Sequence, residues 1–315
     1  RIMDLAHAYI PDDITDKDRY IYGYDDRYLL YPNYKEAVRK INQWYNEGLV
    51  WKDFPLYPAG DTTEGNLMKA GYVGSYIHNF DDPYRNGEDG VQYNMQKLVS
   101  EDAAFIPVAT FKNDAGIYKK FLSPPIDRKV FFPSTNDEPL ASLLYLDWIS
   151  KLENRMFLQI GEEGSTHEVM PDGSIKVIAA TGDKIMNSLN NIDYTLTLNG
   201  LDLGDQEKTL KSLAQGYPGI DSKYVEIAFD LSKYSVSYGK NARLGEIKSE
   251  EGMATVLAEK RDNFLAQAIV APVDKFDEVF DAGMQDYLNS GGQAIIDERK
   301  AAWEKAYGDK TMLDE

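Results

Sequence analysis

Arg128-Lys129-Val130-Phe131-Phe132-Pro133-Ser134-Thr135-Asn136-Asp137-Glu138-Pro139 runs directly into Leu140-Ala141-Ser142-Leu143-Leu144-Tyr145-Leu146-Asp147-Trp148. The first six residues are β-rich and end at a proline, which predicts a short extended segment over 128–133. The next six are a helix-start signal. They offer cap side chains, acids for the first turn, and a proline where no intrahelical amide bond is lost. The helix that follows carries Leu140, Leu143, Leu144, Asp147 and Trp148. A strand feeding a capped helix is the repeating unit of an α/β fold. The chain is therefore expected to cross between lobes here. Residues 1–127 would form mainly one α/β lobe, and 128–315 the crossover to the other lobe together with the C-terminal helices.

Upstream, apolar residues at Tyr34, Ala37, Val38, Ile41, Trp44 and Tyr45 fall at the spacing of one helical face, which predicts a helix over 34–47. Pro32-Asn33 opens it and Gly48 supplies a left-handed stop. Leu49 to Phe54 then leaves it in an extended path. Gly71-Tyr72-Val73-Gly74-Ser75-Tyr76-Ile77 is β-rich and too short for a helix, so a strand is predicted, running out into the loop His78-Asn79-Phe80-Asp81-Asp82-Pro83. Residues 105–108 form another extended segment. Downstream, 160–178 reads as a hairpin turning at Pro171-Asp172-Gly173. The last third is helical, over about 249–269, 274–289 and a final helix after Gly291-Gly292. Strands spaced between helices predict α/β structure over 1–180.

The chain has 315 residues, enough for two lobes with separate cores. Its 52 acidic against 34 basic residues give a net charge of −18. Such a surface repels nucleic acid and anionic lipid, and it favours a neutral or cationic ligand over a polyanion. Cysteine is absent, which excludes a thiol enzyme, a zinc ribbon and a disulfide scaffold together. No run of about 18 apolar residues is present. The chain opens on Arg1 without an apolar signal segment and reads as part of something longer.

Catalytic signatures are missing. The three histidines, His7, His78 and His167, are scattered, and no HExxH, GxSxG, Walker loop or GxGxxG occurs. Asp82-Pro83-Tyr84-Arg85-Asn86-Gly87 superficially matches a calcium loop, but Tyr84 and Tyr93 stand where acidic ligands are needed, so an ordinary turn is expected. Neither cofactor nor metal is predicted. Paired acids for glycoside hydrolysis remain open on carboxylate count alone. Aromatic supply is more telling: 22 tyrosines, 12 phenylalanines and 4 tryptophans. Sugar rings present apolar faces to aromatic side chains and hydroxyls to amides and carboxylates. The 78–82 loop offers both at a predicted strand end, where open α/β sheets bind ligands. Phe80 plugging a local core is the competing reading.

Several stretches, in order, resemble one family. Ile41-Asn42-Gln43-Trp44-Tyr45-Asn46-Glu47-Gly48-Leu49-Val50 looks like the "YxEGLI" helix end of bacterial extracellular solute-binding proteins of the maltose-binding and lipoprotein type. Met68 to Tyr76 is similar to their "nGkvam" strand, and Val130 to Trp148 to their crossover strand and following helix. Ile160-Gly161-Glu162-Glu163-Gly164 is similar to a Gly-x-Glu-Gly element of the oligosaccharide-binding branch. Gly283 to Tyr307 resembles the closing helices.

The resemblance implies a two-lobed, periplasmic-binding-protein-like α/β fold of type II that hinges shut on its ligand. It implies a monomeric extracytoplasmic carbohydrate receptor, at the cell surface or in the periplasm, serving the permease of an ABC transporter. It also implies that these residues correspond to the C-terminal two-thirds of such a protein. Phe80 stands where the family has a stacking tryptophan, flanked by His78, Asn79 and Asp81 as hydroxyl partners. Ser134, Thr135 and Asn136 lie at the crossover, and Glu163 matches the family glutamate. Trp51 occupies a position where the family has a small or acidic residue; its role as a ligand contact is inferred from its ring. No catalysis and no nucleic-acid partner is expected, and a hydrolase using two acids is the alternative.

Overall fold

The computed structural model describes residues 2–11, 13–24, 29–57, 62–109, 111–113, 115–121, 130–179, 201–232, 235–238 and 244–308. In chain order the helices are α1 (Asp16–Tyr22), α2 (Tyr34–Asn46), α3 (Thr63–Lys69), α4 (Val91–Leu98), α5 (Pro139–Ser150) and α6 (Leu152–Ile160). They continue with α7 (Gln206–Ala214), α8 (Lys223–Ser232), α9 (Met253–Val270), α10 (Phe276–Tyr287) and α11 (Gln293–Ala306). The strands are β1 (Tyr118–Phe121), β2 (His167–Val169), β3 (Ile175–Val177) and β4 (Ser235–Tyr238).

The chain divides into two compact units, each built from separate stretches. The first joins residues 1–61, 110–122 and 235–315. Its core sets Tyr34, Ala37, Val38 and Ile41 of α2 against Leu257, Phe264, Leu265 and Ala268 of α9 and Phe276, Phe280 and Tyr287 of α10. The stripe read from the sequence is thus the buried face of α2. Gly48 has φ 81° and ends the helix as expected, with the Leu49 amide reaching back to the Trp44 carbonyl at 2.9 Å. Asn42, fully buried on the same helix, donates its side-chain amide to the carbonyls of Ala268, Ile269 and Ala271 at 3.0, 3.0 and 2.7 Å. Those carbonyls close α9 and have no partner within it, so Asn42 pins one helix end to the middle of another. Trp303 of α11 packs on Tyr20 in a second core. β1 and β4 pair in parallel, Tyr118 opposite Ser235 and Phe121 opposite Tyr238.

The second unit joins residues 62–109 and 123–234. The expected hairpin is present: β2 and β3 pair antiparallel, His167 opposite Val177. Asp172 in the turn accepts from the Ser174 amide at 2.9 Å and pairs with Lys211 of α7. Ile160, Ile175, Val177 and Leu201 form a small core behind it, and Tyr84, Ala214 and Val225 form another.

Three expectations change. The lobe boundary expected at 127/128 falls outside the described residues, as do Arg128 and Lys129, and the observed units interleave along the chain instead of dividing it once. Helices α2 and α5 do belong to different units. Residues 71–77 form no strand, and neither do 105–108 or 130–133. A β-prone stretch becomes a strand only when a neighbour completes its hydrogen-bond ladder, and nothing among the described residues pairs with these three. The described residues are accordingly mostly helical, with two separate two-stranded sheets. The last third is helical as read, except that the helix expected from about 249 begins at Met253.

Candidate functional site

The loop after residue 77 folds into a short 3-10 turn at Asp82–Tyr84, with Pro83 locking the backbone at its start. The Asp82 amide donates to the Asn79 carbonyl and the Tyr84 amide to the Asp81 carbonyl, both at 3.0 Å. The turn buries Asp81, Pro83 and Tyr84 and leaves Asp82 half-buried. Asp81 and Tyr84 point inward and are 6% and 2% exposed, whereas His78, Asn79 and Phe80 stay at the surface.

Asp81 anchors the loop. One carboxylate oxygen accepts from Arg85 at 2.5 Å and the other from the Tyr217 hydroxyl at 3.1 Å. The hydrogen bond to Asp81 raises the Arg85 pKa, and burial, aided by the Asp81 charge, raises that of Tyr217. Both partners therefore hold their protons through the ordinary pH range. Asp81, expected to meet ligand hydroxyls, is instead the internal strut that fixes the turn. Its burial could not be seen in a sequence where Tyr217 lies 136 positions away.

The second carboxylate, Asp82, faces the other side of the turn. His78 Nδ1 lies 2.9 Å from one oxygen and the Tyr76 hydroxyl 3.4 Å from the other. Tyr76 stands edge-on to Phe105 with ring centroids 5.0 Å apart. Burial, reinforced by the charge of Asp82, pushes the Tyr76 pKa up. Above this, Phe80 is 42% exposed and meets Phe229 of α8 edge-on at 5.2 Å. Tyr84 stacks on Tyr224 at 5.8 Å. The result is a patch of rings, with one half-free phenyl face beside an imidazole and an amide, held by two carboxylates beneath.

The other expected residues lie elsewhere. Ser134 and Thr135 are exposed; Asn136 turns its side chain to the Glu138 amide at 2.9 Å and the Ser142 hydroxyl at 3.0 Å, capping the approach to α5. Glu163 is exposed in the bend before β2, next to the buried His167. Trp51 belongs to the first unit, where it stacks on Tyr57 with centroids 4.8 Å apart. The sequence reading placed Asp82 in the loop without a role of its own and missed Tyr76, Tyr84, Tyr217 and Phe229, at which only the abundance of aromatic residues hinted.

Each unit also has a hollow. That of the second unit, about 450 Å³, is lined by Gln92, Gln96, Glu101, Asp102 and Asp221, with Tyr224 as its one ring. Its walls suit water or a polar group better than a sugar face. That of the first unit, about 870 Å³, combines Trp44 and Phe111, 6.0 Å apart, with Asn33, Lys40 and Asn113. Among the described residues no three His, Cys, Asp or Glu side chains converge to hold a metal ion, and no helix is long and apolar enough to cross a membrane.

No protein-family model and no curated protein matches the sequence. The structure is similar to the crystal structure of an alginate-binding protein, AlgQ2, determined without calcium ion, with TM-score 0.52 at 17% identity. The match covers 86% of this chain and 54% of that one, so the chain spans about half the length of the solved protein. At such identity the likeness concerns the fold alone: over the matched length this chain folds as that binding protein does.

Proposed function

We propose that the chain is the ligand-binding part of an extracytoplasmic receptor that binds a neutral oligosaccharide and passes it to a membrane permease. The observation that carries this reading is the half-exposed Phe80 ring, set on Phe229 and flanked by His78 and Asn79. A sugar needs one apolar ring face and nearby hydrogen-bonding groups, and the turn offers both on a rigid base. Delivery to an ABC-transporter permease, and the family resemblance behind it, extend the same reading. The fold shared with an alginate-binding protein supports carbohydrate as the ligand class. Neutral ligands are favoured over alginate-like polyanions by the net charge of −18 and by the pairing of Arg85 with Asp81. Binding without turnover is expected. Titration calorimetry against neutral and uronic-acid oligosaccharides, with chromatography of the recovered sugar, tests it. Saturable binding of a neutral oligosaccharide returned intact supports the proposal; release of shortened sugar defeats it.

A further inference from the structure

Asp81 and Asp82 are adjacent carboxylates of one turn, yet they are committed differently. Asp81 is buried and spends its oxygens on Arg85 and Tyr217. Asp82 is half-buried, with His78 Nδ1 at 2.9 Å from one oxygen and the Tyr76 hydroxyl at 3.4 Å from the other. An ionised carboxylate can only accept, and the hydrogen bond made at one ring nitrogen of a histidine sets which nitrogen carries the proton. Nδ1 is therefore the protonated nitrogen of His78. In the neutral ring Nε2 is then bare, with a lone pair and no proton. Among the described residues no donor or acceptor pairs with Nε2, and the side chain is 31% exposed.

His78 stands two positions before Phe80, the half-exposed ring proposed to stack on a sugar. We propose that Asp82 is a positioning residue of this loop: it holds His78 as the Nδ1–H tautomer, so that Nε2 accepts a hydrogen bond from a ligand hydroxyl. The loop then selects for a donor at this point. A sugar hydroxyl supplies one. An ether oxygen or a carboxylate supplies none and sets lone pair against lone pair. Freely hydroxylated neutral sugars are thus preferred over uronates for a local reason, besides the net charge. Tyr76, which keeps its proton because burial raises its pKa, donates to the second carboxylate oxygen and holds the group in place. The turn itself closes through backbone bonds, the Asp82 amide on the Asn79 carbonyl and the Tyr84 amide on the Asp81 carbonyl. The Asp82 side chain is not needed to build it. This role rests on the receptor reading of the same loop and adds which ligand group His78 meets.

Ring-nitrogen shifts in long-range proton–nitrogen spectra report the tautomer directly. With 3 histidines in the chain, the His78 signals are assigned by their loss in His78→Gln. Spectra and titrations are recorded at about pH 9, where an ordinary histidine, with a value near 6.5, is neutral. The unsubstituted protein should show His78 protonated on Nδ1 and bare on Nε2. Asp82→Ala should move the proton toward Nε2, the form that a free imidazole favours. Maltotriose, cellotriose and mannotriose are titrated in parallel, and the tightest binder should bind Asp82→Ala about ten-fold more weakly. One monodeoxy analogue of that sugar should lose about ten-fold against the unsubstituted protein and little more against Asp82→Ala, the mark of two changes removing one interaction. A proton on Nε2 in the unsubstituted protein, beside normal sugar binding, would overturn this role and leave the receptor reading standing. Deoxy penalties equal in the two proteins would overturn it as well. Titrations silent for all of these sugars would overturn the receptor reading, and this role with it, whatever the tautomer.

Discussion

Phe80 meets Phe229 edge-on, with ring centroids 5.2 Å apart, yet leaves 42% of its own surface to solvent. A ring held on one side and open on the other is positioned without being core. Phe80→Ala should weaken carbohydrate binding by about ten- to a hundred-fold, the equivalent of about 1–3 kcal/mol for a lost stacking ring. Its stability cost should fall well short of the about 3–5 kcal/mol of a fully buried phenylalanine. Calorimetry and thermal melting on one variant check both. Trp44→Ala is the comparator: if it alone weakens binding, the ligand occupies the hollow of the first unit.

Asp81 behaves as a structural residue. Replacing it by asparagine removes the charge that Arg85 and Tyr217 address, at a cost of about 1.5–3 kcal/mol, the range for hydrogen bonds to charged groups. Urea unfolding of Asp81→Asn should show that loss. An unchanged midpoint would return Asp81 to the surface and to the ligand.

Asn42 makes a different kind of link, one amide serving three carbonyls at the end of α9. Asn42→Ala leaves buried acceptors unpaired and should cost about 1–3 kcal/mol or more. Asn42→Asp should cost still more, because a carboxylate oxygen would face three carbonyl oxygens. Paired unfolding curves test the order of the two variants.

His167 is buried at the start of β2, and burial lowers its pKa against the opposing pull of Glu163. A lowered value means that the unfolded chain takes up a proton at higher pH than the folded one. The stability contributed by the neutral ring is therefore present above the ordinary histidine value near 6.5 and is lost as pH falls below it. Melting temperature should drop between about pH 7.5 and pH 5.5, on either side of that value. The drop should be smaller in His167→Gln. An equal slope in both proteins would place the acid sensitivity elsewhere.

What the sequence disclosed depended on how local the cause was. The buried face of α2, its stop at Gly48 and the Asp172 turn follow from residues within a few positions of one another, and all three are present. Residues 71–77 have strand chemistry, but a strand also needs a neighbour that no local pattern supplies. The interleaved units depend on contacts between distant stretches, as does the role of Asp81, whose partner Tyr217 is 136 residues away. At the site, Phe80, His78 and Asn79 were legible as one surface loop. The rings beneath them were not.

Most direct is a titration of the protein with a panel of neutral oligosaccharides, followed by chromatography of the sugar recovered. A carbohydrate receptor gives saturable binding, weakened in Phe80→Ala, and returns every oligosaccharide at its original length. Heat-silent titrations across the panel, or shortened products that disappear on replacing a single Asp or Glu, would contradict it.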